Sequence, residues 1–118
     1  MIFSICFCDE KTYGVLVIAD TLKEAWDKFQ TSKFVNKRPN FFYIDKYVSD
    51  KDYVDIHKED NPQLYKGVFY SLNKGDYFNN YVIADSDKQA MDYFCKLKKG
   101  EFIRFERNNS LDEDIIIF

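Results

Sequence analysis

The sequence predicts an α+β fold built from two copies of a β-β-α-β unit, each followed by a short fourth strand. A window of thirteen residues, 17–29, recurs as 82–94 with eight positions identical. In both copies a β-branched pair leads into a capping sequence and then into helical spacing. The four alanines of the chain all lie at matched positions of the two windows: Ala19 and Ala84, Ala25 and Ala90. Chance produces such a match in roughly one chain in a hundred or fewer, so we predict a tandem duplication.

The composition fits one domain that needs no disulfides. The chain has 118 residues, of which 46% are apolar and 19% aromatic, and this is enough for a hydrophobic core. We predict a single domain over residues 1–118, with one repeat at 1–61 and the other at 66–118. The odd number of cysteines, three, favours a reducing cytoplasm. No apolar run approaches a membrane span, and the start of the chain predicts a strand and not a signal peptide.

In the first repeat, alternating apolar residues predict a strand at 1–8 that buries Phe3, Ile5 and Phe7. The elements expected after it are a returning strand at 13–19, a helix at 22–30, a strand at 41–48 and a short strand at 53–56. The helix starts with the capping box Thr21-x-x-Glu24. We expect the Thr21 hydroxyl to accept from the Glu24 amide, and the Glu24 carboxylate to accept from the amide of Thr21 itself.

In the second repeat, an offset of 65 puts Val68, Tyr70 and Leu72 in the places of the three buried residues of the first strand. A turn at 73–76 joins this strand to the next, at 77–84. The second helix starts with the capping box Ser86-x-x-Gln89. We expect Gly100 to be its C-cap, with Lys96, Lys98 and Lys99 at the negative end of the helix dipole. The remaining strands are predicted at 101–107 and 114–118, with residues 115–117 matched to 54–56.

The matched alanines predict that each helix lies close to its strands. A small side chain at the end of a strand and on the first helical turn leaves no room for a larger group, which would overpack the contact. Helical spacing predicts the buried face of each helix. The residues expected on these faces are Leu22, Ala25, Trp26 and Phe29 in the first helix, and Ala90, Met91, Phe94 and Leu97 in the second.

Two arrangements of the repeats are compatible with the sequence. The halves can pair edge to edge into one mostly antiparallel sheet with both helices packed on one face, or each half can form a lobe with its own sheet. Both arrangements relate the halves by a pseudo-twofold axis. We favour the single sheet, because a half of about fifty residues buries too little surface to be comfortable alone.

No catalytic, cofactor or metal site is predicted. The pair Cys6-x-Cys8 would need further ligands, and only Cys95 and His57 are available, so packing of the thiols in the core is the simpler reading. His57 is the only histidine, and it lies in a charged stretch. The chain contains no glycine-rich phosphate loop and no hydrolase or zinc-protease motif. We therefore expect a protein that is not an enzyme.

The stretch 99–105 has features of the aromatic RNA-binding strand signature, in which a basic residue and a glycine precede aromatic residues. The match is incomplete, because Glu101 stands where the signature has an aromatic residue. Lys99 and Gly100 are also explained as a helix cap. A net charge of −3 further disfavours binding to a nucleic-acid backbone.

The candidate interface consists of tyrosines and acidic clusters. Tyrosine is enriched at interfaces because it offers a large contact area at low entropic cost, and the chain has nine tyrosines. The residues selected are Tyr43, Tyr47, Tyr77 and Tyr81, together with Asp50, Asp52, Asp55, Asp112, Glu113 and Asp114. The acidic residues could form one negative patch for a basic protein surface. The alternatives are an ordinary exposed sheet face for the tyrosines and solvated loops for the acidic residues.

From these observations we expect a non-catalytic protein-binding module, such as an accessory, regulatory or inhibitor protein. Its composition, rich in Lys, Asn, Tyr and Phe, suggests a phage, plasmid or low-GC bacterial source. Self-pairing through the Ile-rich C-terminal strand would give a homodimer. The alternative functions are a small-ligand binder with its site on the repeat axis and, less favoured, a single-stranded RNA binder that uses sheet aromatics.

Overall fold

Two four-stranded, mostly antiparallel sheets and two helices make up the mixed α+β fold. The computed structural model describes residues 1–8, 12–32, 41–60, 62–107 and 115–118. The chain divides into two compact units, unit 1 (Met1–Asp50 with Asn109–Phe118) and unit 2 (Lys51–Asn108). The preference for one continuous sheet is therefore wrong, and each unit has its own sheet and its own helix.

The elements agree with the predicted ones in type and order. In chain order they are β1 (Ile2–Cys8), β2 (Thr12–Ile18), α1 (Leu22–Gln30), β3 (Phe41–Val48), β4 (Tyr53–Asp55), β5 (Gln63–Ser71), β6 (Asp76–Ala84), α2 (Asp87–Lys96), β7 (Glu101–Arg107) and β8 (Ile115–Ile117). A short 3-10 turn, Asp50–Asp52, precedes β4. Within the described residues, no helix has both the length and the apolar run needed to cross a bilayer.

Each sheet takes its last strand from the other half of the sequence. The strand order is β3-β1-β2-β8 in unit 1 and β7-β5-β6-β4 in unit 2. The two exchanged strands pair in parallel, β8 with β2 and β4 with β6, whereas the other neighbours are antiparallel. A parallel pair requires a long connection between its strands. Both exchanged pairs meet this requirement, because β2 and β8, and likewise β4 and β6, are far apart in the sequence.

The register of the exchanged strands corrects the predicted match between them. Ile116 pairs with Leu16 on β2, and Tyr53 pairs with Tyr81 on β6. Leu16 and Tyr81 are equivalent residues of the duplicated window's strands, so Tyr53 takes the place of Ile116. The match of residues 115–117 with 54–56 is wrong by two positions.

The first strand of the second half is also shifted from its predicted match. Phe3 pairs with Val17, whereas Tyr65 pairs with Val82. Tyr65 therefore takes the place of Phe3, and Gly67 and Phe69 take the places of Ile5 and Phe7. The offset of 65 fails here because the β5–β6 hairpin is three residues longer than the β1–β2 hairpin. Of the three residues predicted at these places, Val68 and Tyr70 lie on the opposite face and Leu72 lies in the turn, 80% exposed.

The core of unit 1 lies between α1 and one face of its sheet. Its buried residues are Phe3, Ile5, Val15, Val17, Ala19, Ala25 and Phe29. Trp26 packs against this cluster from the side, with its ring 6.0 Å from that of Phe29. Leu22, predicted to be buried, is 52% exposed. It is the first residue of the helix, and its Cβ points back beyond the helix start, away from the sheet.

The core of unit 2 is built in the same way but with larger rings. Its buried residues are Tyr65, Phe69, Val82, Ala84, Ala90 and Phe94, with Phe102 and Phe105 packed against them. A Cβ on Gly67 would lie 2.7 Å from the Phe94 ring. Any side chain larger than that of glycine would therefore clash with this ring. Leu97 packs on this core as predicted, whereas Met91, predicted on the buried face, is exposed.

Both capping boxes form, with one difference from the predicted geometry. The amide of Glu24 donates to Thr21 Oγ1 and that of Gln89 donates to Ser86 Oγ, each at 3.1 Å. The return bond comes from the residue before the cap. The Asp20 amide donates to the Glu24 carboxylate at 3.2 Å, and the Asp85 amide donates to Gln89 Oε1 at 2.6 Å. The bond from Asp20 is also the main reason why the pKa of Glu24 is lowered, ahead of the hydrogen bond to the Lys28 ammonium.

Gln89 has a second bond that Glu24 cannot make. Its Nε2 donates to the carbonyl of Ile56 at 3.1 Å, and the Ile56 amide donates to the Ile83 carbonyl at 3.0 Å. The Asp85 carboxylate then accepts from the amides of Lys58 and Glu59, at 2.8 and 3.1 Å. The segment that follows β4 is thus held onto unit 2 by backbone and side-chain bonds that meet at the start of α2.

The Gln89→Glu variant is expected to lower the free energy of unfolding by about 1–3 kcal/mol at neutral pH. A carboxylate has no hydrogen to donate, and it places a negative charge against the Ile56 carbonyl oxygen. Urea unfolding followed by circular dichroism measures the loss. The matched control is Glu24→Gln, which removes only an exposed pairing with Lys28 and should cost no more than about 1 kcal/mol. Equal losses in the two variants would contradict the role given to the Gln89 amide.

Asn80 is a buried polar residue in the place that Val15 occupies in unit 1. It is 7% exposed, and within the described residues its side chain makes no hydrogen bond. A buried amide without a partner destabilises the fold by its lost hydration.

We expect Asn80→Val to raise the free energy of unfolding by about 1 kcal/mol, because it removes an unpaired polar group and adds a residue that favours strands. The reverse substitution in unit 1, Val15→Asn, should lower it by about 1–3 kcal/mol. Thermal and urea melts of both variants measure the two effects. A destabilised Asn80→Val protein would show that this amide has a role the packing does not reveal.

Candidate functional site

The four predicted interface tyrosines lie in both units. Tyr43 and Tyr47 are on β3 in unit 1, where they are 52% and 39% exposed. Tyr77, on β6 in unit 2, is 63% exposed, and Tyr81 on the same strand is only partly exposed. Each unit therefore has its own tyrosine-bearing surface.

The surface of unit 1 consists of four exposed residues of β3: Tyr43, Asp45, Lys46 and Tyr47. We call it the β3 surface. The Tyr43 hydroxyl donates to Asp45 Oδ2 at 3.1 Å, and this hydrogen bond raises the pKa of Tyr43. The other oxygen of Asp45 accepts from the Lys46 amide at 2.8 Å. These bonds hold the Tyr43 ring along the strand before any partner arrives.

The edge strands β3 and β7 each contain a bulge that exposes a large side chain. In unit 1, Ile2 and Phe3 pair with Val48 and Lys46, which makes Tyr47 the extra residue of the bulge. In unit 2, Val68 and Phe69 pair with Arg104 and Phe102, which leaves out Ile103, a residue 44% exposed. A bulge on an edge strand disfavours the addition of a further strand and turns a side chain outward. These edges are therefore suited to contacts through side chains.

The acidic residues are distributed over both units. Asp50 pairs with the amino group of Met1 in unit 1, Asp52 ends the 3-10 turn, and Asp55 pairs with His57 in unit 2. Asp112, Glu113 and Asp114 lie outside the described residues. The single acidic patch stays a prediction. By sequence, unit 1 has seven Lys and Arg against ten Asp and Glu, and unit 2 has ten of each, so the net charge of −3 belongs to unit 1.

A cleft in unit 2 was not predicted from the sequence. It has a volume of about 640 Å³ and lies beside the β5–β6 turn. A smaller depression of about 280 Å³ shares Ser71, Asn73 and Lys99 with it. The lining residues of the larger space, which we call the lysine cleft, are Ser71, Asn73, Lys74, Asp76, Tyr77, Phe78 and Lys99.

Two glycines set the walls of the lysine cleft. The turn wall closes through Gly75, whose φ of 65° is left-handed and whose amide donates to the Ser71 carbonyl at 2.8 Å. On the opposite wall, a Cβ added to Gly100 would lie 2.7 Å from the Tyr70 carbonyl oxygen. The predicted role of Gly100 as the C-cap of α2 is wrong, because the helix ends at Lys96 with Leu97 as its cap. Gly100 allows the close approach of β7 to β5.

Two aromatic pairs lie on the strands beside the cleft, one on each face of the sheet. Tyr77 meets Tyr70 edge to face at 5.1 Å, and Phe78 stacks on Phe69 at 5.4 Å. The Tyr77 ring is thus fixed in position while most of it stays exposed. These contacts make the cleft part of the folded sheet and not a gap between mobile side chains.

Three lysines lie at this region of unit 2. Lys74 and Lys99 line the lysine cleft, and Lys98 lines the smaller depression with Lys99. Within the part of the chain that the structure describes, none of the three ammonium groups forms an ion pair. The sequence had explained Lys98 and Lys99 as helix-dipole partners, but α2 ends before them. The sequence pattern that could have predicted the cleft is the lysine pair in this loop together with Lys74 in the β5–β6 turn.

The aromatic residues of the RNA-like stretch are used in the core. Phe102 lies 5.4 Å from Phe69 and 5.8 Å from Phe94, and Phe105 lies 6.1 Å from Tyr65. Both rings are partly buried by this packing. The exposed positions of β7 are instead occupied mainly by charged residues, one of which, Glu106, has its pKa lowered by the Lys66 ammonium at 2.7 Å.

Cys6, Cys95 and His57 were the described candidates for a metal site, and the side chain of Cys8 lies outside the description. Cys6 is half-buried in unit 1 and Cys95 is exposed in unit 2. Among the residues described, no three metal-binding side chains lie close enough together to hold an ion. His57 contacts Asp55 through its ring and its backbone amide.

Comparisons with protein-family models, with curated proteins and with solved structures found no match to this chain. The proposals below therefore use only the β3 surface and the lysine cleft.

Gly100→Ala is expected to lower the free energy of unfolding by about 1–3 kcal/mol, because the new methyl group has to push the Tyr70 carbonyl and the Phe78 ring apart. The matched control is Gly75→Ala, where a Cβ would meet only the Tyr70 hydroxyl at 4.0 Å and the left-handed backbone is strained, at about 1 kcal/mol. Urea unfolding of both variants measures the difference. If Gly75→Ala is the more damaging, the close approach at Gly100 does not constrain the fold.

Proposed function

We propose that the chain is a non-catalytic protein-binding module, an accessory, regulatory or inhibitor protein, whose β3 surface binds a basic surface of a partner protein. The observation that carries this proposal is the pair of exposed tyrosines, Tyr43 and Tyr47, on the edge strand of an acidic unit. The proposal includes the origin of the two units in a tandem duplication, since their equivalent strands have the same order and the same pairing directions.

The β3 surface has the properties of an interface centre. Tyrosine contributes a large contact area and loses little side-chain entropy on binding. The hydrogen bond from Tyr43 to Asp45 lowers this cost further, because the ring is already held. A bulged edge is poor at strand addition, so the partner is expected to meet the side chains and not the backbone.

Charge favours a basic partner. The excess of carboxylates lies in unit 1, and Asp45 is exposed between the two tyrosines. A field of one sign over an interface raises the rate of association with a surface of opposite sign. Self-pairing through β8 is the second form of protein binding, but one edge of this strand is already paired with β2.

Unit 2 provides the internal comparison. Arg104 on β7 takes the place of Tyr43, and Glu106 takes the place of Asp45, as the pairing of β5 with β7 shows. Glu106 is pinned to Lys66, whereas Asp45 holds an exposed tyrosine. The same strand position thus carries an aromatic contact residue in one unit only.

Affinity capture tests this proposal. The tagged full chain is used on extracts of the cells that produce it, and captured proteins are quantified for the wild type and for the variants Tyr43→Ala, Tyr47→Ala and Arg104→Ala. We expect one stoichiometric partner whose affinity falls at least about thirtyfold in the tyrosine variants, as at interface hot spots.

Arg104→Ala is the matched control and should leave capture unchanged, because it alters the equivalent strand of the other unit. The affinity should also fall as salt rises, since the expected attraction is between opposite charges. A partner that is retained equally by Tyr43→Ala and Arg104→Ala would refute binding through the β3 surface.

A further inference from the structure

We propose that the lysine cleft binds a nucleoside phosphate unit, either as a free nucleotide or as one residue of a single strand. This site lies in unit 2 and is independent of the β3 surface, so the proposal does not rest on the protein-binding function. Three features of the cleft support it. They are two lysines that form no ion pair among the described residues, the exposed tyrosine Tyr77, and the polar side chains of Ser71, Asn73 and Asp76.

The lysines form the phosphate end of the proposed site. Lys74 on the turn wall and Lys99 on the loop wall both line the cleft. Within the described ranges neither has an acidic partner, so their charge is available to a ligand. An ammonium group is a common phosphate ligand, and its hydrogen bonds to an anion are stronger than neutral ones. Lys98 in the adjoining depression adds to the positive potential.

The Tyr77 ring forms the base end of the proposed site. It is held edge to face by Tyr70 and remains 63% exposed. An exposed ring that is already fixed can stack on a base, and every base presents such a face. The volume of the cleft, about 640 Å³, lies in the usual range for small-molecule sites.

The remaining lining groups suit a sugar better than a second anion. One oxygen of Asp76 accepts from the Tyr77 amide at 2.7 Å, and this carboxylate can accept further from a hydroxyl group. The Asn73 amide and the Ser71 hydroxyl supply donors and acceptors in the same wall. Asp76 and Glu101 would repel a polyacidic peptide. A single phosphate attached to a hydroxyl-bearing sugar avoids this repulsion.

Titration of the isotope-labelled full chain, followed by amide chemical shifts, tests the proposal. The probes are adenosine and uridine 5′-monophosphate, the two nucleosides, inorganic phosphate and a single-stranded RNA of about ten nucleotides. We expect the nucleotides to shift the amides of residues 71–78 and 97–101. The nucleosides and inorganic phosphate should each bind at least about tenfold more weakly than the nucleotides.

The variants separate the parts of the site. Lys74→Ala combined with Lys99→Ala should weaken nucleotide binding at least about tenfold, and Tyr77→Ala should weaken it by a similar factor. Lys23→Ala is the matched control, because this lysine side chain in unit 1 is 88% exposed and lies outside the cleft. It should leave the affinity unchanged. Melting curves confirm that each variant is folded before it is titrated.

The RNA arm identifies the source of the ligand. An RNA that binds at least about tenfold more tightly than the mononucleotides indicates a strand as the natural ligand, whereas equal affinity indicates a free nucleotide. Absence of shifts at about 10 mM nucleotide overturns the proposal. Shifts confined to residues outside the cleft, or equal losses for the lysine pair and for Lys23→Ala, overturn it as well.

Discussion

The close contact between each helix and its own sheet is the constraint on which the rest of the structure depends. Ala19 and Ala25 in unit 1, and Ala84 and Ala90 in unit 2, are almost completely buried at this contact. Small side chains let the helix axis approach the strands, and one phenylalanine then fills the space beside them. The capping boxes follow from the same arrangement, because the chain leaves the strand and starts the helix within three residues in unit 1 and two in unit 2.

In unit 2 this contact has consequences that extend to the lysine cleft. The Phe94 ring occupies the space above Gly67, and Phe105 on β7 lies opposite that glycine. An aromatic residue across from a glycine covers the gap in the sheet that the missing side chain leaves. The bulge between Phe102 and Arg104 then lets both rings of β7 face the core, and Gly100, which approaches β5 closely, immediately precedes β7. The rigid loop wall of the cleft is thus a product of core packing.

Much of the local structure could be predicted from the sequence, and the errors have physical causes. Helix α1 and strand β3 have the predicted bounds, because capping residues and alternation are local signals. The exchange of β4 and β8 could not be predicted. The alternation of apolar residues in a short strand predicts the strand, but it does not show which distant strand it pairs with. The shift of β5 arose because a longer hairpin changes the register without changing the apolar alternation. The lysine cleft was missed because its walls are far apart in the sequence.

At some equivalent positions the two units have different residues, and a contacting residue differs as well. Lys28 donates to the Ile18 carbonyl at 2.7 Å, whereas in unit 2 the Ile56 amide satisfies the Ile83 carbonyl. Ile5 and Gly67 differ together with their neighbours Ile44 and Phe105. Such paired changes preserve packing and hydrogen bonding, so folding explains them.

Folding does not explain the remaining differences. Tyr43 and Arg104 are both exposed, and exchanging one for the other alters no buried contact of either unit. When two exposed residues at equivalent positions differ and no contacting residue differs with them, we attribute the difference to contacts with other molecules. This difference is the reason why the β3 surface, and not the equivalent strand of unit 2, is proposed as the binding surface.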